Sequence, residues 1–137
     1  MVIVIDASSL AKYVLREPNW SEVEAMLALG SFSIDYVVKE VSNAIWKYYT
    51  KFKKIDKGLA LKLLEVLLML VNEKVIVLES QDKYLKRAFE LSLEYSVPVY
   101  DTLYVAQAEK LEAKLLTSDR TQVYVAQSIG VETIYIL

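Results

Sequence analysis

The sequence predicts a single-domain α/β fold of three layers, with helices on both faces of a parallel sheet. The chain opens with an unbroken apolar run at residues 2–5, which is typical of a strand buried on both faces. Short valine- and leucine-rich runs then alternate with helical patterns, which favours a parallel sheet with crossover helices. No linker or repeat interrupts the 137 residues, and only 3 are glycine and 2 are proline, so we expect one domain over residues 1–137.

Each element in the first half of the chain has its own supporting pattern. Apolar residues at helical spacing predict the helices, and Pro18, Gly30 and the Ile55-Asp56 pair mark three helix ends. After the strand at residues 2–5, the predicted elements are helix 7–16, helix 20–29, strand 31–34, helix 36–54 and helix 58–72.

The second half of the chain alternates more regularly between strands and helices. Valine- and leucine-rich runs predict its strands, and the segment Val97-Pro98-Val99 predicts a loop. The predicted elements, in order, are strand 74–78, helix 83–95, helix 104–111, strand 113–117, helix 123–129 and strand 131–136.

The composition excludes several kinds of chemistry. Without cysteine there is no disulfide, thiolate nucleophile or zinc–sulfur site, and without histidine the usual base and the usual zinc or copper ligand are missing. Any bound metal must therefore be held by oxygen, which favours magnesium or manganese. The net charge of −2 excludes a general basic nucleic-acid coat. No signal segment or membrane span is predicted, so we expect a cytoplasmic protein.

Four acidic residues occupy positions of special geometry. Asp6 and Asp119 each follow a predicted strand, and they meet at one edge of the sheet if those strands are neighbours. Asp101 begins a predicted helix, and Glu40 lies at the margin of the apolar stripe of helix 36–54, with no lysine or arginine at i+3 or i+4. The ordinary alternative is that the three aspartates only cap helices and that Glu40 is solvated. Clustered carboxylates repel one another unless a cation joins them, so their convergence would predict a divalent metal site.

The chain resembles the PIN domain family, the nuclease fold of VapC-type toxins in toxin–antitoxin pairs. Four motifs in the expected order carry the resemblance, which covers nearly the whole chain: Val4-Ile5-Asp6-Ala7-Ser8, Glu40-Val41-Ser42-Asn43, Tyr100-Asp101-Thr102-Leu103-Tyr104-Val105-Ala106 and Leu116-Thr117-Ser118-Asp119. The resemblance implies a parallel sheet of strand order 3-2-1-4-5. It also implies that the four acids form a metal-binding and catalytic quartet, supported by Ser8, Asn43 and Thr117.

The resemblance further implies a ribonuclease that holds one or two Mg²⁺ or Mn²⁺ ions. In such a site the metal would activate a water for attack on an RNA phosphodiester, and Asp101 or the metal would manage the proton. Basic residues that could contact RNA phosphates, with aromatic residues among them, are Lys47, Lys51, Lys53, Lys54 and Arg120. The alternative for this basic segment is a solvated helix end with core aromatics.

The expected partners are RNA, a second copy of the chain and an antitoxin. Helix 58–72 is apolar on nearly every face, which predicts a homodimer, the alternative being a helix covered within the monomer. A VapB-like antitoxin is implied only by the resemblance. Other functions left open are an RNA-processing nuclease of the same family, a phosphotransfer module, and a non-catalytic binding module.

Overall fold

The protein folds into a five-stranded parallel sheet between two layers of helices. The computed structural model describes all residues 1–137. The strand order is β3-β2-β1-β4-β5, which confirms the predicted order and fold class. In chain order the elements are β1 (Ile3–Ile5), α1 (Ala7–Val14), α2 (Trp20–Leu27), β2 (Ser31–Ile34), α3 (Tyr36–Thr50), α4 (Lys57–Asn72), β3 (Ile76–Glu79), α5 (Leu85–Tyr95), α6 (Val99–Leu111), β4 (Lys114–Thr117), α7 (Arg120–Ser128) and β5 (Thr133–Tyr135).

The helices pack mainly in two groups. Helices α1 to α4 pack against one another, whereas α5 packs against α6 and α6 against α7. The central strand β1 is buried completely because helices cover both of its faces, as its unbroken apolar run predicts. None of the seven helices has both the length and the apolar composition needed to cross a membrane.

Helix α6 begins five residues before the predicted start at residue 104. Pro98 stands at the N-cap in extended backbone (φ −56°, ψ 145°), and its fixed φ suits the residue that leads into a helix. The predicted loop therefore ends at Pro98, and Val99 is already helical. Asp101 consequently lies in the first turn of α6 and does not cap it, which corrects the capping alternative for this residue.

Among the other boundaries that differ from the predictions, three have clear local reasons. Helix α3 ends at Thr50 because the backbone reaches the left-handed region at Lys53 (φ 52°). Helix α7 begins at Arg120, three residues early, because the Asp119 side chain accepts a hydrogen bond from the Thr121 amide. Strand β3 is shifted from 74–78 to Ile76–Glu79, since Lys74 also has a left-handed backbone (φ 58°).

Helix α4 leaves a broad apolar face uncovered within the monomer. Leu67 is its one fully buried residue, and the Asp56 side chain caps its first turn. The large apolar side chains exposed on this helix are Leu59, Leu61, Val66, Leu68 and Met69. The monomer thus covers only one side of α4. The alternative of a helix fully covered within the monomer is therefore wrong.

Candidate active site

Four acidic side chains line one pocket at the carboxyl edge of the sheet. The pocket has a volume of about 220 Å³ and is lined by Asp6, Glu40, Asp101 and Asp119 together with small and polar neighbours. Asp6 follows β1 directly and Asp119 follows β4 by two residues, while Asp101 and Glu40 lie in the opening turns of α6 and α3. The structure thus brings together the four acids that the sequence analysis selected.

A larger hollow lies at the opposite edge of the sheet and has a different character. It has a volume of about 310 Å³ and is lined in part by Glu109 and Glu132. Two of its three acids are paired there, because Arg87 contacts Glu109 at 2.8 Å and Lys114 contacts Glu132 at 3.3 Å. No basic side chain lines the pocket of the four carboxylates, so no ion pair within the protein neutralises their charges.

Asp6 is completely buried and held by three hydrogen bonds. The hydroxyls of Ser8 and Thr117 each donate to Oδ2 at 2.7 Å, and the Ser9 amide donates to Oδ1 at 3.0 Å. Burial raises the pKa of Asp6 to about 6, and the charge of Asp119 adds to the rise, while the three hydrogen bonds oppose it. The side chain is therefore fixed in position, although its charged form is costly.

The Thr117 hydroxyl couples the two strand-end aspartates. It donates to Asp6 and accepts a hydrogen bond from the Asp119 amide at 3.0 Å. Ser8 adds a second link, because its hydroxyl accepts from the Ser118 amide at 2.9 Å. These bonds fix the turn between β4 and α7 against the end of β1.

Glu40 is oriented by a tyrosine from the other helical layer. The Tyr104 hydroxyl, which is buried, donates to Oε1 of Glu40 at 2.5 Å. Burial raises the pKa of Glu40 to about 7, with further contributions from the charges of Asp6, Asp101 and Asp119, and the Tyr104 hydrogen bond acts against the rise.

Asp101 is partly buried beside Gln122. Burial and the charge of Asp119 raise the pKa of Asp101, and a hydrogen bond with the Gln122 side chain acts against that rise. Gln122 lines the same pocket and is 2% exposed, but its Oε1 atom has no hydrogen-bond partner. An unpaired buried amide oxygen is uncommon and costs free energy.

Sequence reasoning missed Tyr104 and Gln122. Each lies three residues after one of the acids, Tyr104 after Asp101 and Gln122 after Asp119, and this spacing places both members on the same helix face. The spacing is the available signal, but only the fold shows that Tyr104 reaches Glu40 on another helix.

The donor chemistry of the pocket fits a hard divalent cation, but the four carboxylates do not form a closed ligand set. Carboxylate oxygens are the ligands that Mg²⁺ and Mn²⁺ prefer, and three of the four acids have raised pKa values. In the present conformation no three acidic side chains are arranged to hold a metal ion. One reason is visible at Glu40, whose carboxylate is turned to Tyr104.

Of the residues predicted to support the acids, Ser8 lines the pocket and Thr117 bonds to Asp6, whereas Asn43 and the predicted RNA-contacting residues do not line it. Asn43 is exposed and its side chain forms no hydrogen bond in the structure, so its supporting role stays a prediction. Arg120 contacts the Tyr135 hydroxyl at 3.4 Å. Lys47 lies two helical turns after Glu40, about 10 Å along α3, and the remaining lysines of the predicted RNA-binding segment are further away: Lys51, Lys53 and Lys54.

Fold and site together define an α/β protein with an acidic, histidine-free centre at the carboxyl edge of a parallel sheet. The PIN domain family model matches residues 3–127, so the chain belongs to the PIN domain family.

Known proteins similar to this chain include one sequence relative and three solved structures. Ribonuclease VapC3 of Pyrobaculum aerophilum is 34% identical over 122 residues, which is 88% of this chain and 91% of the relative. PAE2754 of Pyrobaculum aerophilum has a TM-score of 0.70 at 18% identity, covering 97% of this chain and 89% of its own. VapBC2 of Rickettsia felis, bound to a DNA fragment from their promoter, scores 0.66 at 12% identity, covering 98% of each chain. FitAcB of Neisseria gonorrhoeae scores 0.63 at 15% identity, covering 97% of this chain and 96% of its own.

The Thr117→Val substitution tests the link between the two strand ends. It keeps the shape of the side chain but removes the donor to Asp6 and the acceptor for the Asp119 amide, so the free energy of unfolding at pH 7 should fall by about 1.5–3 kcal/mol. Thr121→Val is the matched control, because Thr121 is exposed and should change stability by less than about 0.5 kcal/mol. Urea unfolding of both variants measures the difference, and equal effects would contradict the coupling.

The metal-free protein should lose stability as the pH rises from about 5 to 8. Asp6 and Glu40 have folded pKa values of about 6 and 7, above their ordinary values of 3.8 and 4.5. The folded state therefore keeps protons that the unfolded state has released, and the free energy of unfolding should decrease by roughly 2 kcal/mol across this window.

Urea unfolding at several pH values, with a chelator present, measures this decrease. Glu40→Gln removes the group with the higher pKa and should flatten the upper half of the profile. Glu79 and Glu109 have lowered pKa values, and their effect is lost only as the pH falls below the ordinary 4.5, outside this window. A free energy of unfolding that stays constant or rises from pH 5 to 8 would contradict the raised pKa values of Asp6 and Glu40.

Proposed function

We propose that this protein is a divalent-metal-dependent endoribonuclease that hydrolyses RNA phosphodiester bonds, as the toxin of a VapC-type toxin–antitoxin pair. The observation that carries the proposal is the convergence of four carboxylates on one pocket with no basic side chain to neutralise them. The 34% identity to Ribonuclease VapC3, over most of both chains, supports the same activity here.

The four carboxylates would hold one or two Mg²⁺ or Mn²⁺ ions. When bound, such an ion supplies an activated water and offsets negative charge on the leaving oxygen. Asp6 is the ligand fixed in advance, since three hydrogen bonds hold it. Glu40, Asp101 and Asp119 complete the set from α3, α6 and the start of α7.

Because the chain contains neither histidine nor cysteine, a carboxylate or the metal itself would handle the proton. We assign this role to Asp101. Its pKa is raised by burial and by Asp119, and its side chain faces the same pocket. The Gln122 side chain limits the rise in the pKa of Asp101.

An antitoxin and a second copy of the chain are the proposed protein partners. Support for the antitoxin is the likeness to VapBC2 and FitAcB in fold, together with the relationship to Ribonuclease VapC3. The uncovered apolar face of α4 supports a homodimer. The lysines at 47, 51, 53 and 54 and Arg120 are proposed to contact RNA phosphates beyond the pocket.

The Asp101→Asn substitution tests the site. Mn²⁺ or Mg²⁺ should raise the melting temperature of the wild type because the metal binds only the folded carboxylates. Asp101→Asn should remove much of that rise and reduce cleavage of single-stranded RNA by at least about 100-fold, roughly 2.7 kcal/mol of barrier. Without metal the same substitution should stabilise the protein slightly, because it removes repulsion from Asp119.

Asp82→Asn is the control for this test, since Asp82 is exposed and does not line the pocket. It should leave the metal-induced rise and the cleavage rate unchanged. Retained metal-dependent cleavage in Asp101→Asn would contradict the assignment of the site. Absence of cleavage in the wild type, with the metal-induced rise intact, would favour a metal-binding module without turnover.

The dimer is tested by light scattering on the isolated protein. The expected mass is twice the 15.7 kDa of the monomer, because α4 exposes five large apolar side chains that a second copy could cover. Leu61→Lys should shift the protein to the monomer. Leu93→Lys is the matched control, since Leu93 is 70% exposed on α5, and it should leave the mass unchanged. A wild-type monomer at micromolar concentration would refute the dimer.

A further inference from the structure

Two tyrosines form a stacked pair beside the acidic pocket. The rings of Tyr36 and Tyr100 have centroids 5.5 Å apart and planes inclined by 23°. Tyr100 is 54% exposed despite this contact, and Tyr36 is half-buried. The pair therefore leaves about half of the Tyr100 side chain open to solvent.

The chain ties this pair to the site. Tyr36 lies four residues before Glu40 on α3, and Tyr100 lies four residues before Tyr104 on α6. Helices α3 and α6 therefore contact each other at two places one helical turn apart. Tyr36 stacks on Tyr100 at the first, and Tyr104 donates a hydrogen bond to Glu40 at the second. Tyr100 is also the residue directly before Asp101. The stacked rings consequently stand next to the carboxylates, at the same edge of the sheet.

An acidic pocket needs such a surface if its substrate is RNA. The chain carries a net charge of −2, and the pocket has four carboxylates and no basic side chain. The protein's own side chains in the pocket thus offer no charge attraction to a polyanion. Stacking of bases on aromatic side chains does not depend on charge, and each stacked base contributes an affinity that alanine substitution can measure.

We propose that Tyr36 and Tyr100 form a stacking platform for an unpaired base of the RNA, next to the phosphodiester that is cleaved. The inference rests on the proposed ribonuclease function and names the part of the substrate that this surface recognises. Since every base has an aromatic face, the platform favours single-stranded over double-stranded RNA without selecting a sequence.

The test measures binding without turnover. A fluorescently labelled, mixed-sequence single-stranded RNA of 12 nucleotides is titrated with the protein in the presence of a chelator, and anisotropy gives the dissociation constant. Tyr100→Ala should weaken binding about 5- to 150-fold, the range for the loss of one stacked base. Tyr100→Phe keeps the ring and should restore most of the affinity.

Two controls separate stacking from other effects. Tyr124→Ala removes an exposed tyrosine that pairs edge-on with Tyr95 and does not line the pocket, and it should leave the affinity unchanged. An RNA of the same length with abasic ribose throughout should bind the wild type and Tyr100→Ala equally, because it offers no base to stack. In cleavage assays with Mg²⁺ or Mn²⁺, Tyr100→Ala should raise KM and leave kcat close to that of the wild type.

The results that overturn the platform differ from those that overturn the nuclease. Unchanged RNA affinity in Tyr100→Ala would reject the platform. The same result is expected if the two rings contact a protein partner and not RNA. Failure of the wild type to bind the RNA without metal would also reject it. In both cases metal-dependent cleavage that is lost in Asp101→Asn would still support the ribonuclease.

Discussion

The burial of several carboxylates close together at the carboxyl edge of the sheet is the constraint around which this site is built. Strands β1 and β4 are parallel neighbours with Ile5 opposite Leu116, so they end side by side. Asp6 is then fully buried next to the turn that carries Asp119. Isolated charges in such a position are costly, and the protein supplies hydroxyl and amide donors where a basic side chain is absent.

The amino termini of three helices also compensate the negative charge of the carboxylates. Asp6 and Asp119 cap the first turns of α1 and α7, and Asp101 lies in the first turn of α6. The amino terminus of a helix has a partial positive charge that favours a nearby anion. The compensation is incomplete, since the pKa values of Asp6, Glu40 and Asp101 remain raised. The folded protein therefore keeps an energetic cost at the pocket that a divalent cation would relieve.

The parts of the fold and site that follow from local pattern could be predicted, and those that need tertiary contacts could not. The buried runs before Asp6 and Asp119 predicted two parallel strands that end at the same edge of the sheet, whereas their being neighbours was implied only by the resemblance to the PIN domain family. The predicted start of α6 was five residues late because a proline such as Pro98 is common both in loops and just before a helix. Tyr104 and Gln122 carry no signal beyond their i+3 spacing, since their importance depends on the helices that meet them.

The Glu40–Tyr104 hydrogen bond shows how the acids and the aromatic surface depend on each other. The bond joins α3 to α6 and thereby fixes the spacing of the two helices one turn earlier, where Tyr36 stacks on Tyr100. A change that breaks the bond would disturb both the orientation of a carboxylate and the packing of the rings. The proposed stacking platform and the acids thus consist of different side chains. One hydrogen bond between α3 and α6 holds both sets of side chains in position.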